Sequence, residues 1–213
     1  MARPDDIQGV LFDFDGTLAD TEVLGFEFDN VVARQLGVEL DDADHASIVG
    51  TTGYDSIPAA FARHGVEITF DEFMALRPPN VLIYREVLQD LMPGAADALR
   101  DMRARGIRLA MVSTTDVYEL MFCCNRFGIL SCFDAIVGGD MGYACKPDPE
   151  PYRAGLDFLG LPAEKCVAVE DSPAGIAAAK AAGLYTIAFT GGSVVQDVSG
   201  ADESFSAYAE LRL

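Results

Sequence analysis

Short apolar runs recur along the chain, each followed by a stretch with helical spacing. Val10-Leu11-Phe12, Ile107 to Val112, Ala135-Ile136-Val137, Cys166 to Val169 and Tyr185 to Phe189 read as strands. Helical patterns fall near 95–105, 116–127, 149–159 and 174–182. The punctuation agrees. Gly106 and Gly183 suit the position just past a helix, Ser172 suits an N-cap, and Pro173 suits a first turn. Runs that are apolar on both faces and separated by helices predict an α/β fold: a Rossmann-like parallel sheet with helices on both faces. Such sheets bind ligands at the carboxyl ends of their strands, at the switch point.

Residues 17–92 break this alternation. Val23, Phe26, Val31 and Ala33 sit among polar positions, and Phe70, Phe73, Met74 and Leu76 recur near helical spacing. The segment holds 14 acids, 4 bases and no lysine. It reads as an inserted α-helical domain, 17–92, that leaves 1–16 and 93–213 as the core. Pro93-Gly94 marks its exit. The expected flex points lie near Gly16–Asp20 and Leu91–Gly94.

Charge and composition narrow the function. Acids outnumber bases 34 to 15, for a net charge of −19. A phosphate backbone needs a basic surface, so no nucleic-acid partner is expected. Anionic membrane surfaces are disfavoured for the same reason. The longest charge-free run, Ala181 to Gln196, is short and broken by glycines, whereas a bilayer takes roughly 20 apolar residues. No signal peptide is expected from Met1-Ala2-Arg3-Pro4-Asp5-Asp6. Five cysteines without a CxxC pair point to a reducing, cytoplasmic setting. A monomer is the default expectation. The chain has two histidines and lacks the G-x-S-x-G, H-E-x-x-H and P-loop patterns. Carboxylates must carry any chemistry.

The strand ends supply them. The first runs into Asp13-Phe14-Asp15-Gly16-Thr17, and alternation along a strand points Asp13 and Asp15 the same way. Two such carboxylates repel unless a cation or a proton lies between them. Asp42-Ala43-Asp44 has the same spacing without the apolar run or the Gly-Thr, and reads as a solvated loop. The second strand ends in Ser113-Thr114-Thr115, a hydroxyl-rich anion site ahead of a helix. Lys146, one of three lysines, follows the third strand and precedes a proline. The fourth ends in Glu170-Asp171. One lysine cannot neutralise Asp13, Asp15, Glu170 and Asp171, so a divalent cation is expected, and hard oxygen ligands favour Mg²⁺. A metal, a lysine, a hydroxyl and a nucleophilic carboxylate suit phosphoryl transfer.

Asp13-x-Asp15-Gly16-Thr17, Ser113, Lys146-Pro147 and Glu170-Asp171, in this order, resemble the four motifs of the haloacid dehalogenase superfamily. The resemblance covers the whole chain. The insertion after the first motif is similar to the helical cap of the subclass that contains β-phosphoglucomutase and phosphoglycolate phosphatase. The resemblance implies that Asp13 is the nucleophile that forms an aspartyl-phosphate. Asp15 would be general acid and then base. Ser113, Thr114 and Lys146 would hold the phosphoryl group. Mg²⁺ would bind Asp13, the backbone oxygen of Asp15, and Asp171, with Glu170 beside it directly or through water.

Departures from relatives narrow the reaction. Dehalogenases of the superfamily lack the second aspartate, and phosphonatases use a cap lysine that residues 17–92 do not contain. Sugar phosphomutases place basic residues on the cap loop and after the second motif. Here those positions read Ile48-Val49-Gly50-Thr51-Thr52-Gly53 and Asp116-Val117. The expected activity is a Mg²⁺-dependent phosphatase of a small phosphorylated metabolite, such as a sugar phosphate. The alternatives are a phosphomutase of the β-phosphoglucomutase type, a phospho-accepting signalling protein and a non-catalytic binding protein. Arg63, His64, Arg77 and Arg85 are the candidate readers of the substrate. Tyr54 and the Met121-Phe122-Cys123-Cys124 run read as packed residues.

Overall fold

The computed structural model describes residues 2–49, 53–194 and 196–213. The chain divides into two compact units, Met1–Asp20 with Leu88–Leu213, and Thr21–Val87.

The first unit is built on the strands Gly9–Phe12 (β1), Arg108–Val112 (β2), Ala135–Val137 (β3), Cys166–Glu170 (β4), Tyr185–Phe189 (β5) and Glu203–Phe205 (β6). They form one sheet in the order β3-β2-β1-β4-β5-β6, and every pairing is parallel. The chain fills one side of β1 first and then the other, so the topological switch lies between β1 and β4. Ala95–Ala104 (α5), Val117–Arg126 (α6), Glu150–Leu159 (α7) and Pro173–Ala181 (α8) connect the strands. Leu11, Ala110, Val112 and Ala168 share a core with Tyr152, Leu156 and Leu159 of α7 and Ala178 of α8. The alternate strand residues Val10, Phe12, Leu109 and Met111 are buried as well, which is why these runs read as apolar without a break.

Register carries the site. Val10 lies level with Leu109 and Val167, and Phe12 with Met111 and Val169. The residues that follow therefore emerge along one edge. Asp13 N–H donates to the Val169 carbonyl at 2.9 Å, and Ser113 N–H to the Val137 carbonyl at 3.0 Å.

The second unit contains Glu22–Gln35 (α1), Asp42–Ile48 (α2), Ser56–Arg63 (α3), Phe70–Leu76 (α4) and a π-helical turn, Ile83–Val87. It has its own core of Val32, Ala33, Leu40, Ile57, Ala60, Phe61 and Phe73. Thr69 and Glu72 form a capping box at the start of α4.

Several expectations need correction. Residues 17–20 and 88–92 pack with the first unit, because Thr17, Leu18 and Ala19 are fully buried there and Met92 N–H bonds the Leu18 carbonyl. Asp42-Ala43-Asp44 is not a solvated loop. It opens α2, Asp41 and Asp44 cap each other reciprocally, and Asp44 is buried. The buried residues of α1 are Phe28, Asp29, Val32 and Ala33, which share only Ala33 with the set read off the sequence. On α6, Cys123 and Cys124 are buried but Met121 and Phe122 are exposed, since four successive residues cannot share one helix face. Tyr54 is exposed and lies against Phe70. Strand β6 had no apolar run to announce it. No helix among the described residues is long and apolar enough to cross a membrane.

Candidate active site

The carboxyl edge of the sheet gathers Asp13, Asp15, Ser113, Lys146, Glu170 and Asp171. Asp13 follows β1 directly and is almost fully buried. Gly16 makes the turn after it with φ of 74°. A Cβ there would meet Asp171 Oδ2 at 2.2 Å, so glycine is required both for the backbone and for the approach of that carboxylate.

Lys146 crosses this edge. Its Nζ donates to Asp13 Oδ1 at 2.5 Å, to Glu170 Oε1 at 2.6 Å and to the Val112 carbonyl at 2.9 Å. Its side chain is 7% exposed. Burial alone would lower the ammonium pKa, but Asp13 and Glu170 outweigh it and hold Lys146 above the ordinary lysine range.

Asp13 shows the opposite balance. Burial pushes its carboxyl well above the usual carboxylate range. Lys146 pulls it down, but the charges of Glu170, Asp171 and Asp15 push it up again. One oxygen from each of Asp13, Glu170 and Asp171 lies within 4.8 Å of the other two. Three buried carboxylates against one ammonium leave two negative charges over, the charge of one divalent cation. The donors are hard oxygens, the set that suits Mg²⁺ or Ca²⁺. The residues present therefore fit such an ion.

Asp171 is held by the Thr17 hydroxyl at 3.2 Å and the Gln196 side-chain amide at 3.0 Å. Glu170 is fully buried at the end of β4, where the Ser172 hydroxyl and the N–H groups of Asp171 and Ser172 donate to it. The buried Tyr152 hydroxyl donates to it as well, at 2.8 Å. Burial, followed by the charge of Glu170, pushes the Tyr152 phenol well above its ordinary pKa.

Asp15 is turned to the β2 end. The Ser113 hydroxyl donates to its Oδ2 at 3.1 Å and the Thr115 hydroxyl at 2.7 Å. Its carboxylate lies outside the three-carboxylate cluster. Thr114, by contrast, is exposed and has no side-chain partner among the described residues. Thr115, Thr17, Tyr152 and Gln196 were not singled out in the sequence. Thr115 lay within the Ser-Thr-Thr run and Thr17 within the first motif, but nothing in the sequence marked Tyr152 or Gln196.

The candidate readers in the insertion have structural partners. Arg63 bonds the buried Asp44 at 2.5 Å and His64 bonds it at 2.6 Å. Arg77 pairs with the buried Asp29 at 2.5 Å and donates to the Gly25 carbonyl at 3.0 Å. Burial pushes the Asp29 carboxyl up, against the pull of Arg77. Buried carboxylates need such cations, which is the physical reason these side chains point inward within their own unit. Arg85 is exposed on the π-helical turn. The loop segment Gly50-Thr51-Thr52 lies outside the described residues.

Residues 7–183 match the family model of the haloacid dehalogenase-like hydrolases. The protein CbbY of Cereibacter sphaeroides is 36% identical, over 96% of this chain and 94% of that protein. The phosphorylated carbohydrates phosphatase of Thermotoga maritima is 32% identical, over 85% of this chain and 84% of that protein. Among solved structures, CbbY from Rhodobacter sphaeroides in complex with phosphate is similar with a TM-score of 0.75 and 33% identity, over 96% of both chains.

Proposed function

The chain belongs to the haloacid dehalogenase-like hydrolases, and from that premise we propose that it is a Mg²⁺-dependent phosphatase of a small phosphorylated metabolite. The observation that carries this reading is the convergence of Asp13 with Lys146, Asp171 and Glu170, beside an Asp15 held by two hydroxyls. The relatives named for phosphatase activity and the phosphate complex of CbbY support it.

In this reading Asp13 attacks the phosphorus of the substrate. The Asp13 oxygen–phosphorus bond forms, the ester oxygen–phosphorus bond breaks, and Asp15 protonates the leaving oxygen. Asp15 then takes a proton from water as that water attacks the aspartyl-phosphate. Inorganic phosphate leaves and Asp13 is restored. Ser113 and Lys146 hold the transferring group, and the Lys146 ammonium opposes the effect of burial on the Asp13 carboxyl. Asp13, the Asp15 backbone oxygen and Asp171 would hold Mg²⁺, with Glu170 beside it. When bound, the ion offsets charge on the phosphoryl oxygens. Residues 21–87 act as a cap domain. The five cysteines form no disulfide among the described residues, which suits the cytoplasm.

A phosphatase is favoured over a mutase, because Arg63, His64 and Arg77 are engaged by Asp44 and Asp29 within their own unit. The test is phosphate release from an aryl phosphate with Mg²⁺ and with chelator. Mg²⁺-dependent release supports the reading. No release, with turnover appearing only for a sugar phosphate given a bisphosphate activator, would replace it with a mutase.

A further inference from the structure

Tyr152 has no part in the mechanism above, yet it touches its centre. It sits in α7, fully buried, with its hydroxyl on Glu170 Oε1 and its ring 5.2 Å from Lys146 Nζ. A buried phenol needs an acceptor. This one shares the oxygen that Lys146 already bonds at 2.6 Å. The other oxygen, Oε2, accepts from Asp171 N–H at 3.1 Å, Ser172 N–H at 3.2 Å and the Ser172 hydroxyl at 3.1 Å. A carboxylate offers about four lone-pair sites, and these five donors leave none of them open.

We propose that Tyr152 is a positioning residue whose hydroxyl completes the donor set that keeps Glu170 turned inward as the anchor of Lys146. Glu170 is then not an inner-sphere ligand of the cation, and Asp13 and Asp171 are the side chains that bind it directly. Without the phenol hydroxyl, Lys146 becomes the one donor on Oε1 and is drawn towards it, away from Asp13. The ammonium that faces the phosphoryl group is displaced, and the carboxylates that bind the ion are not. This inference rests on the phosphatase reading, and its test separates the two.

The test uses the full chain and Tyr152→Phe, which keeps the ring and its packing. Binding of Mg²⁺ alone, and of inorganic phosphate in the presence of Mg²⁺, is measured by titration calorimetry, with aryl phosphate kinetics alongside. The expected result is a Mg²⁺ constant within about threefold of wild type, with phosphate binding and kcat each weakened about 10- to 100-fold by the misplaced lysine. If Glu170 is an inner-sphere ligand, Tyr152 is its supporting partner, and Mg²⁺ affinity falls about 10- to 100-fold, which overturns the proposal. Unchanged Mg²⁺ binding, phosphate binding and turnover would reduce Tyr152 to packing and overturn it too. Should Tyr152→Phe fail to fold, Glu170→Gln and Asp171→Asn decide by Mg²⁺ calorimetry. The anchor role predicts the larger loss for Asp171→Asn, and equal losses contradict it. A wild-type chain that binds Mg²⁺ and phosphate but releases none from an ester fails the phosphatase reading alone.

Discussion

Gly175→Ala sets two effects of opposite sign against each other. Gly175 lies in the first turn of α8, with its N–H on the Ser172 hydroxyl at 3.1 Å. On helix propensity, alanine is better than glycine by about 1 kcal/mol. The added Cβ, however, would lie 1.7 Å from Glu170 Oε1 and 2.3 Å from Oε2, where ordinary contact begins at 3.4 Å. The carboxylate is the end of a flexible side chain, but it is fully buried and held on both oxygens, so it cannot retreat without leaving its donors. Each hydrogen bond to a charged group contributes about 1.5–3 kcal/mol. Losing two costs about 3–6 kcal/mol, which leaves a net destabilisation of about 2–5 kcal/mol after the propensity gain. That is a large share of a typical stability of about 5–15 kcal/mol. Urea unfolding followed by circular dichroism measures it, with aryl phosphate turnover as the second readout. A variant about 1 kcal/mol more stable than wild type, with unchanged turnover, would show that Glu170 is not held as described.

Three further outcomes follow from named contacts. Burial raises the Asp44 carboxyl, but hydrogen bonds from the Asp41 backbone, His64 and Arg63 outweigh it and hold it at about 2, below its ordinary 3.8. A depressed folded-state value stabilises above the unfolded pKa and is lost as pH falls, so Asp44 contributes about 2 kcal/mol that disappears between about pH 4 and pH 2. Asp44→Asn should lack that component, and parallel unfolding curves for the two proteins across this window would refute it. Arg77→Ala leaves Asp29 buried without its cation and should cost about 3–5 kcal/mol. A loss below about 0.5 kcal/mol by urea unfolding would argue that the Arg77 pair is not structural. Thr115→Val removes one of the two hydroxyls on Asp15 and should lower kcat about tenfold with little change in KM. A change in KM alone would count against Thr115 acting through Asp15.

The sheet was legible in the sequence because its central strands are buried on both faces, so β1, β2, β3 and β5 appear as apolar runs, interrupted by Arg108 and Thr186, within a residue of their bounds. Strand β4 runs one residue further than its apolar run, since Glu170 is a carboxylate that is buried by its hydrogen bonds and not by hydrophobicity. Strand β6 is short, and two of its three residues are exposed and polar, which hides it. The motif residues were legible for a different reason. Each ends or follows a strand, and parallel register brings strand ends together. Their supports were not. Tyr152 reads like any apolar-face residue of a helix, and Gln196 lies in a loop with no local signal. Arg63, His64 and Arg77 read as candidate readers of the substrate because their carboxylate partners, Asp44 and Asp29, are distant in sequence. The reciprocal cap of Asp41 and Asp44 was readable as a helix start, and the resemblance of Asp42-Ala43-Asp44 to a loop concealed it.

The central claim is that Asp13 takes the phosphoryl group. The direct measurement is acid quenching of wild-type protein mixed with Mg²⁺ and an aryl phosphate, followed by mass spectrometry of the peptide that carries Asp13. The account predicts one added phosphoryl group on Asp13, absent from Asp13→Asn, which should also release no phosphate. Full turnover by Asp13→Asn, or a phosphoryl group found on another residue, would contradict it.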